Sequence, residues 1–227
     1  MTEIGIAVDA SPAQRPQRVV LPGRVVTLRP FDAASQAEAL YDATHGPVRE
    51  DLWRYMGDGP FDGRDAYQAA FEKKERSVDP FFLAIVDNAT SLPVGQASYL
   101  RIEPDHRCIE VGNIIFTPAL QRSCGATEAM YLMARHAFHD LGYRRYEWKC
   151  NALNQPSRRA ALRLGFTFEG VFRQHMIVKG RNRDTAWFSM LDSEWPLRQA
   201  NFERWLAPSN FDETGRQRLS LSHLNGQ

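Results

Sequence analysis

The sequence predicts an α+β domain built on one mixed, mostly antiparallel sheet flanked by helices. Three observations carry this. Residues 109–150 read as strand, crossover helix, strand, an order that makes the two strands parallel neighbours. Apolar β-rich runs over 81–86, 94–102 and 108–116 are separated by short turn-rich links, Asp87-Asn88-Ala89-Thr90 and Pro104-Asp105-His106, which implies antiparallel pairing. Helical patterns stand before and after them, at 64–76 and 154–164.

Met1 to Gly23 mixes prolines with alternating polar residues and reads as an extended arm that needs something to pack on. It has no long apolar core and does not resemble a secretory signal. Arg24 to Pro30 alternates and is β-branched, a strand ended by proline. Asp32 then caps a helix through Tyr41, and His45-Gly46-Pro47 breaks it. Glu50 to Tyr55 reads as a short helix carrying Trp53, and Gly57 to Pro60 as a turn.

In the crossover unit, Ile109 to Phe116 is a buried strand closed by Thr117-Pro118. The small, polar turn Gln121-Arg122-Ser123-Cys124-Gly125-Ala126-Thr127 leads into the helix Glu128 to Phe138. Amides collected at that helix start lack intrahelical acceptors and suit a phosphate or pyrophosphate. Gly142 stops the helix before the strand Arg145 to Cys150. Asn154 to Leu164 is a helix with Pro156 in its first turn, ended by Gly165. Phe166 to Val178 continues as a bent strand, and Lys179 to Asn182 is a hairpin turn into Asp184 to Leu191. Ser193 to Leu206 reads as an added helix with Trp195, Phe202 and Trp205, followed by a polar tail expected to be loose or to close a subunit contact. The division is an arm over 1–23, a domain over 24–192, and a helix with tail over 193–227.

Composition narrows the function. With 227 residues and 43% hydrophobic content the chain can bury a large core. Twenty-eight Lys and Arg against 27 Asp and Glu argue against nucleic acid or an anionic membrane as the main partner. Cys108, Cys124 and Cys150 show neither disulfide-framework nor zinc spacing, which suits a reducing cytoplasmic compartment and no metal. His136 and His139 lie one turn apart without a third ligand and read as surface residues.

Gln121 to Glu128, then Asn154-Gln155-Pro156-Ser157, Leu164-Gly165-Phe166 and Glu169-Gly170, together resemble the GNAT N-acetyltransferase superfamily. The branch that acetylates amino termini of ribosomal proteins is the nearest in pattern. The resemblance runs from about Leu28 to Leu191, where family members usually end, and rests on the joint spacing of its motifs. It implies the GNAT fold with a splayed parallel strand pair, acetyl-CoA as cosubstrate, and an amine-bearing acceptor: a peptide amino terminus, an aminoacyl nucleotide, a polyamine or an amine antibiotic. Direct attack of a primary amine on the thioester would leave no acyl-enzyme.

By the same resemblance the pyrophosphate lies on Gln121, Arg122, Ser123, Cys124, Gly125, Ala126 and Thr127, and the pantetheine arm runs along Ile114, Ile115 and Phe116 and meets Asn154. Cys124 stands where the family has its first glycine, so a positive φ there would be strained. The tyrosine that many members place four residues before Gly-Phe is Ala161 here, and Ser157 matches the serine of the ribosomal branch as donor to the departing sulfur; as plain structure it caps a helix start.

Glu110, Glu147 and His175 are candidate bases, with a water relay as the alternative, because the branch's acidic position falls at Met176. Trp53, Tyr55, Met56 and Phe61 are candidates for an acceptor wall, or ordinary packing aromatics and their neighbours. The pairs Arg144-Arg145 and Arg158-Arg159 could rim the 3′-phosphate. Two rival readings remain: a CoA-binding regulatory module with little turnover, and an interaction scaffold using the aromatic C-terminal helix, which could also make a homodimer.

Overall fold

The alternating apolar runs close into one eight-stranded sheet in the order β1-β2-β3-β4-β5-β6-β8-β7. The computed structural model describes residues 4–226. The strands are β1 (Leu21–Pro22), β2 (Val26–Pro30), β3 (Phe81–Asp87), β4 (Pro93–Glu103), β5 (Cys108–Phe116), β6 (Arg145–Asn151), β7 (Thr167–Val178) and β8 (Arg181–Leu191). Every neighbouring pair is antiparallel except β5 with β6, the pair joined by the crossover helix.

Because side chains alternate across a strand, the sheet has two apolar faces. On one face, Leu83, Ile85, Ile109, Val111, Tyr146 and Trp148 join a large core covered by α3 (Cys124–Arg135), α4 (Gln155–Arg163) and α5 (Trp195–Leu206). On the other, Phe82, Ala84 and Ile115 pack with α1 (Ala33–Thr44) and α2 (Arg64–Glu75). Asp32 caps α1 as its residue type predicts, accepting from the Ala34 amide at 3.2 Å.

The termini depart from expectation. The arm finds its packing partner within its own chain: Ala13 and Gln14 amides donate to the Pro104 and Leu141 carbonyls at 3.1 and 2.8 Å. The tail is folded rather than loose. Asn210 and Asn225 are buried and bond backbone groups, Asn210 Nδ2 to the Trp205 carbonyl and Asn225 Nδ2 to the Arg163 carbonyl, both at 3.0 Å, while Leu221 of α6 (Leu221–Leu224) is fully buried. Composition misleads there because two asparagines bond backbone groups that the polar sequence suggested water would take. Trp195, Phe202 and Trp205 are buried in the core of the same chain, so the aromatic face offered to a second copy is already covered.

His136 is buried too, with Nδ1 2.7 Å from Asp140 Oδ2, and the Trp195 indole donates to His139 Nε2 at 2.9 Å. His136 therefore departs from the surface position its spacing suggested, whereas His139 is exposed as expected.

Candidate active site

The site begins with one extra residue in β5. Gln96 opposes Ile115 and Ser98 opposes Gly112, so three steps along β5 match two along β4. Asn113 absorbs the surplus with φ 51°, a left-handed conformation that asparagine tolerates better than most residues. Its side chain donates to Ser98 Oγ at 2.9 Å, and its carbonyl accepts from Gln96 Nε2 at 3.2 Å. The bulge reverses the facing of the strand: Ile109 and Val111 point into the large core, whereas after the bulge Ile115 points into the smaller one.

It also ends the pairing with β6. The parallel register runs from Cys108 opposite Arg145 to Val111 opposite Trp148 and stops, although β5 continues to Phe116 and β6 to Asn151. The strands therefore part, and the edge of Gly112–Phe116 turned away from β4 has no strand partner. An edge of that kind is what an extended, amide-bearing chain would pair with. A cleft of about 1610 Å³ runs through the gap.

At one end of the cleft lies the turn into α3. Gln121 Nε2 donates to the Phe116 carbonyl at 2.9 Å, and Ser123 caps the helix, accepting from the Ala126 amide at 3.2 Å and donating to the Leu120 carbonyl at 2.7 Å. The helix opens at Cys124, earlier than its composition suggested, and the Cys124 and Gly125 amides have no intrahelical acceptor to reach. The strained residue is Arg122, at φ 57°, and not Cys124, which sits in the first helical turn. The expected strain at Cys124 is thus absent. Its thiol rests near Arg24 Nη2 at 3.7 Å, and burial raises its pKa. Gly125 is buried and needed for packing: a Cβ there would meet Val26 Cγ1 at 2.7 Å.

Cations surround this end. Arg24, Arg122, Arg159 and Arg163 all line the cleft. Arg163 donates to Thr127 Oγ1 at 3.1 Å and lies over the Trp205 ring at 4.9 Å, and burial lowers its pKa. Of the two arginine pairs read as a phosphate rim, only Arg159 lines the cleft. Arg145 is bound to Glu147 and Glu169, and Arg158 donates to the Ala152 carbonyl. The far wall includes Trp205, Phe211 and Gln217 from the tail.

Where the strands part, two groups face each other from opposite sides of the sheet. Asn154 caps α4, its Oδ1 accepting from the Ser157 amide at 3.2 Å, which leaves its Nδ2 free for a ligand. Ser157 Oγ accepts from the Trp148 indole at 3.0 Å, so the hydroxyl proton remains available for donation. On the other face Glu110 is buried, paired with Arg101 at 2.5 Å and Lys149 at 3.1 Å. Burial raises the Glu110 pKa in spite of both cations. For Glu147, burial raises, but hydrogen bonds from Lys149 and Arg145 outweigh it, and its pKa is lowered.

The geometry divides the sequence-derived candidates. Ile114, Ile115, Phe116, Asn154, Ser157, Glu110, Tyr55 and Met56 line the cleft, as do Gln121, Arg122, Ser123, Cys124, Ala126 and Thr127 of the turn. Trp53, Phe61, Gly125 and His175 are not among its lining residues. Trp53 is buried, donates its indole N–H to the Thr44 carbonyl at 2.9 Å, and packs edge-on against Phe61 at 5.5 Å. Both are core, as aromatic side chains between two helices and a sheet face commonly are. His175 sits in the β7 bulge, which lines a separate recess, with Nδ1 2.9 Å from Thr185 Oγ1.

The acetyltransferase (GNAT) domain model matches residues 26–167, more than half of the chain. The chain belongs to the GNAT acetyltransferase family. A GCN5-related N-acetyltransferase structure from Brucella melitensis is 43% identical, with a TM-score of 0.93 over 96% of this chain and 98% of that one. A GNAT-family structure from Chromobacterium violaceum is 36% identical, with a TM-score of 0.79 over 86% of this chain and 98% of that one. The uncharacterized N-acetyltransferase YoaA of Bacillus subtilis (strain 168) is 31% identical over 98 residues, which are 43% of this chain and 55% of that relative, so the match spans about half of its length.

The GNAT fold expected from the sequence is therefore present, with its one parallel pair splayed. GNAT enzymes use acetyl-CoA as cosubstrate, and the residues here fit it: an unpaired strand edge for the pantetheine amides, and first-turn amides with Arg163 for the phosphates. Among the described residues no group of three His, Cys, Asp or Glu is placed to hold a metal ion, and no helix is long and apolar enough to cross a membrane.

Sequence reading missed Arg24, Arg163, Arg101, Arg183 and Lys149. Arg163 was findable, since it lies four residues after Arg159 and so on the same helix face. Glu128 was missed as well: its carboxylate accepts from the Arg24, Val25 and Val26 amides at 3.0, 2.6 and 2.8 Å, fastening β2 to α3 and holding Arg24 at the cleft.

Proposed function

We propose that the protein transfers an acetyl group from acetyl-CoA to a primary amine by direct attack on the thioester. The observation that carries this is the placement of Glu110 and Ser157 on opposite faces of the sheet at the point where β5 and β6 part. Acetyl-CoA supplies an activated acetyl group.

Gly112 to Phe116 and Asn154 hold the pantetheine arm, the Cys124 amide with Arg122 and Arg163 holds the diphosphate, and Tyr55 and Met56 border the acceptor. Glu110, with its raised pKa, removes the ammonium proton from the acceptor, directly or through water. The amine nitrogen then bonds to the thioester carbon as the C–S bond breaks, and the second proton the nitrogen sheds in becoming an amide ends on the leaving thiolate, giving free CoA thiol. Ser157 donates its hydroxyl proton to the departing sulfur as a hydrogen bond, while the Trp148 indole fixes the oxygen.

The finer resemblance to the ribosomal branch rests on Asn154 and Ser157, and it favours peptide amino termini among the acceptors. The protein in this reading works in the cytoplasm; its subunit number does not enter the chemistry. Thiol release from acetyl-CoA against a panel of amines and short peptides tests the proposal. Amine-dependent release supports it, whereas saturable acetyl-CoA binding with no release for any amine would make the chain a regulatory CoA-binding module, a reading favoured by Ala161 in place of the usual tyrosine.

A further inference from the structure

The acceptor end of the cleft holds one cation more than it pairs. On the Glu110 face of the sheet, Arg101 and Lys149 share the Glu110 carboxylate, Lys149 also reaches Glu147 at 2.6 Å, and Arg145 bridges Glu147 and Glu169 at 2.7 and 2.5 Å. Arg183 belongs to the same face. Along β8 it alternates in step with Thr185 and Trp187, and the Trp187 ring lies 3.7 Å from Lys149 Nζ. Its register partner on β7 is Met176, which also lines the cleft.

Arg183 lines the cleft but has no carboxylate within ion-pair distance among the described residues, and its Nε is buried with no hydrogen-bond partner. Buried donors of this kind are almost always satisfied, and a guanidinium is satisfied best by a carboxylate or phosphate. Burial lowers the pKa of Arg183 itself, and the carboxylate that acts on it from a distance, Glu110, is the one Arg101 and Lys149 already hold.

We propose that Arg183 receives an anionic group, a carboxylate or a phosphate, carried by the acceptor, so that the protein acts on amines that also bear a negative charge and discriminates against polycationic amines. The inference rests on the acetyltransferase reading. Glu110 and the unpaired Arg183 then form a complementary pair of anchors, one for the ammonium and one for the anion.

The test uses matched amines with and without the anion: phenylalanine and phenethylamine, 2-aminoethylphosphonate and ethylamine, and a tetrapeptide amide with Asp or Asn at its second position. Turnover is measured with acetyl-CoA, and calorimetry follows binding of the N-acetylated product of each pair. The expected result is a preference of about tenfold or more for the anionic member in at least one pair, with the pair that responds telling carboxylate from phosphate. Arg183→Gln should collapse that ratio while leaving the affinity for acetyl-CoA in place, and Arg183→Lys should restore part of it; melting curves establish that both variants fold. Equal or reversed preference in every pair overturns the inference, as does a preference that survives Arg183→Gln. Product discrimination without turnover would uphold the anion site and sink the transferase reading, whereas turnover without discrimination would do the opposite.

Discussion

Ser157 and Glu110 show how much a residue type reveals once its neighbours are known. The serine hydroxyl has its acceptor side occupied by the Trp148 indole at 3.0 Å, so its proton points to another acceptor. Ser157→Ala should therefore lower kcat by about a hundredfold, in the range usual for loss of a positioned proton donor, with the acetyl-CoA Kd little changed. Stopped-flow thiol release with parallel calorimetry separates the two effects. Glu110 makes a pH prediction. Because burial raises its pKa, it is protonated on acidification before an ordinary glutamate would be, and kcat/KM should fall on an acid limb lying above the usual carboxylate range. Glu110→Gln should lower the rate and abolish that limb.

The stability sign is opposite for its neighbours. The raised Glu110 contributes most below the ordinary carboxylate range and loses that contribution as pH rises through its folded value, whereas the lowered Glu147 and Glu169 contribute above that range and lose it as pH falls through theirs. In the sequence, the capping of α4 by Asn154 was legible from residue type and the proline that follows. Trp53, Phe61 and His175 were not, because an aromatic or imidazole ring looks the same in a core, a bulge or a substrate wall. Arg183 was invisible, since nothing local distinguishes an arginine paired across a sheet from one left alone.

Among the elements, the bulge in β5 lies where the pairing with β6 stops and the cleft opens. The run Ile109 to Phe116 reads as one regular strand, and the strand-poor pair Gly112-Asn113 inside it is too weak a signal to fix where its facing reverses. Only the register with β4 shows it. Replacing Asn113 with alanine removes the Ser98 hydrogen bond and puts a less tolerant residue at φ 51°, a combined cost of about 1–3 kcal/mol. Urea unfolding should report that loss, accompanied by weaker acetyl-CoA binding as the strand edge loses its set. Unchanged stability would mean that the bulge is held by the rest of the sheet. The helix start at Cys124 was legible in kind but displaced, because Ser123 and not a later residue supplies the cap.

At the scale of the whole molecule, the sheet, its single parallel pair and the crossover were readable because periodicity and loop length constrain them strongly. The termini were not. A polar tail buried by two asparagines, and an arm ordered by Pro104 and Leu141, depend on surfaces that exist only after the domain folds. That tail also reaches the cleft, so residues beyond the last strand share in the proposed cosubstrate site. Isothermal calorimetry on the full chain, comparing acetyl-CoA with 3′-phosphoadenosine diphosphate, which lacks the pantetheine arm, tests the parted strands as the binding site. One acetyl-CoA should bind per chain, at least about tenfold tighter than the truncated nucleotide, because the arm pairs with the free edge of β5. No saturable binding, or equal affinity for the two ligands, would contradict the role given to the gap between β5 and β6.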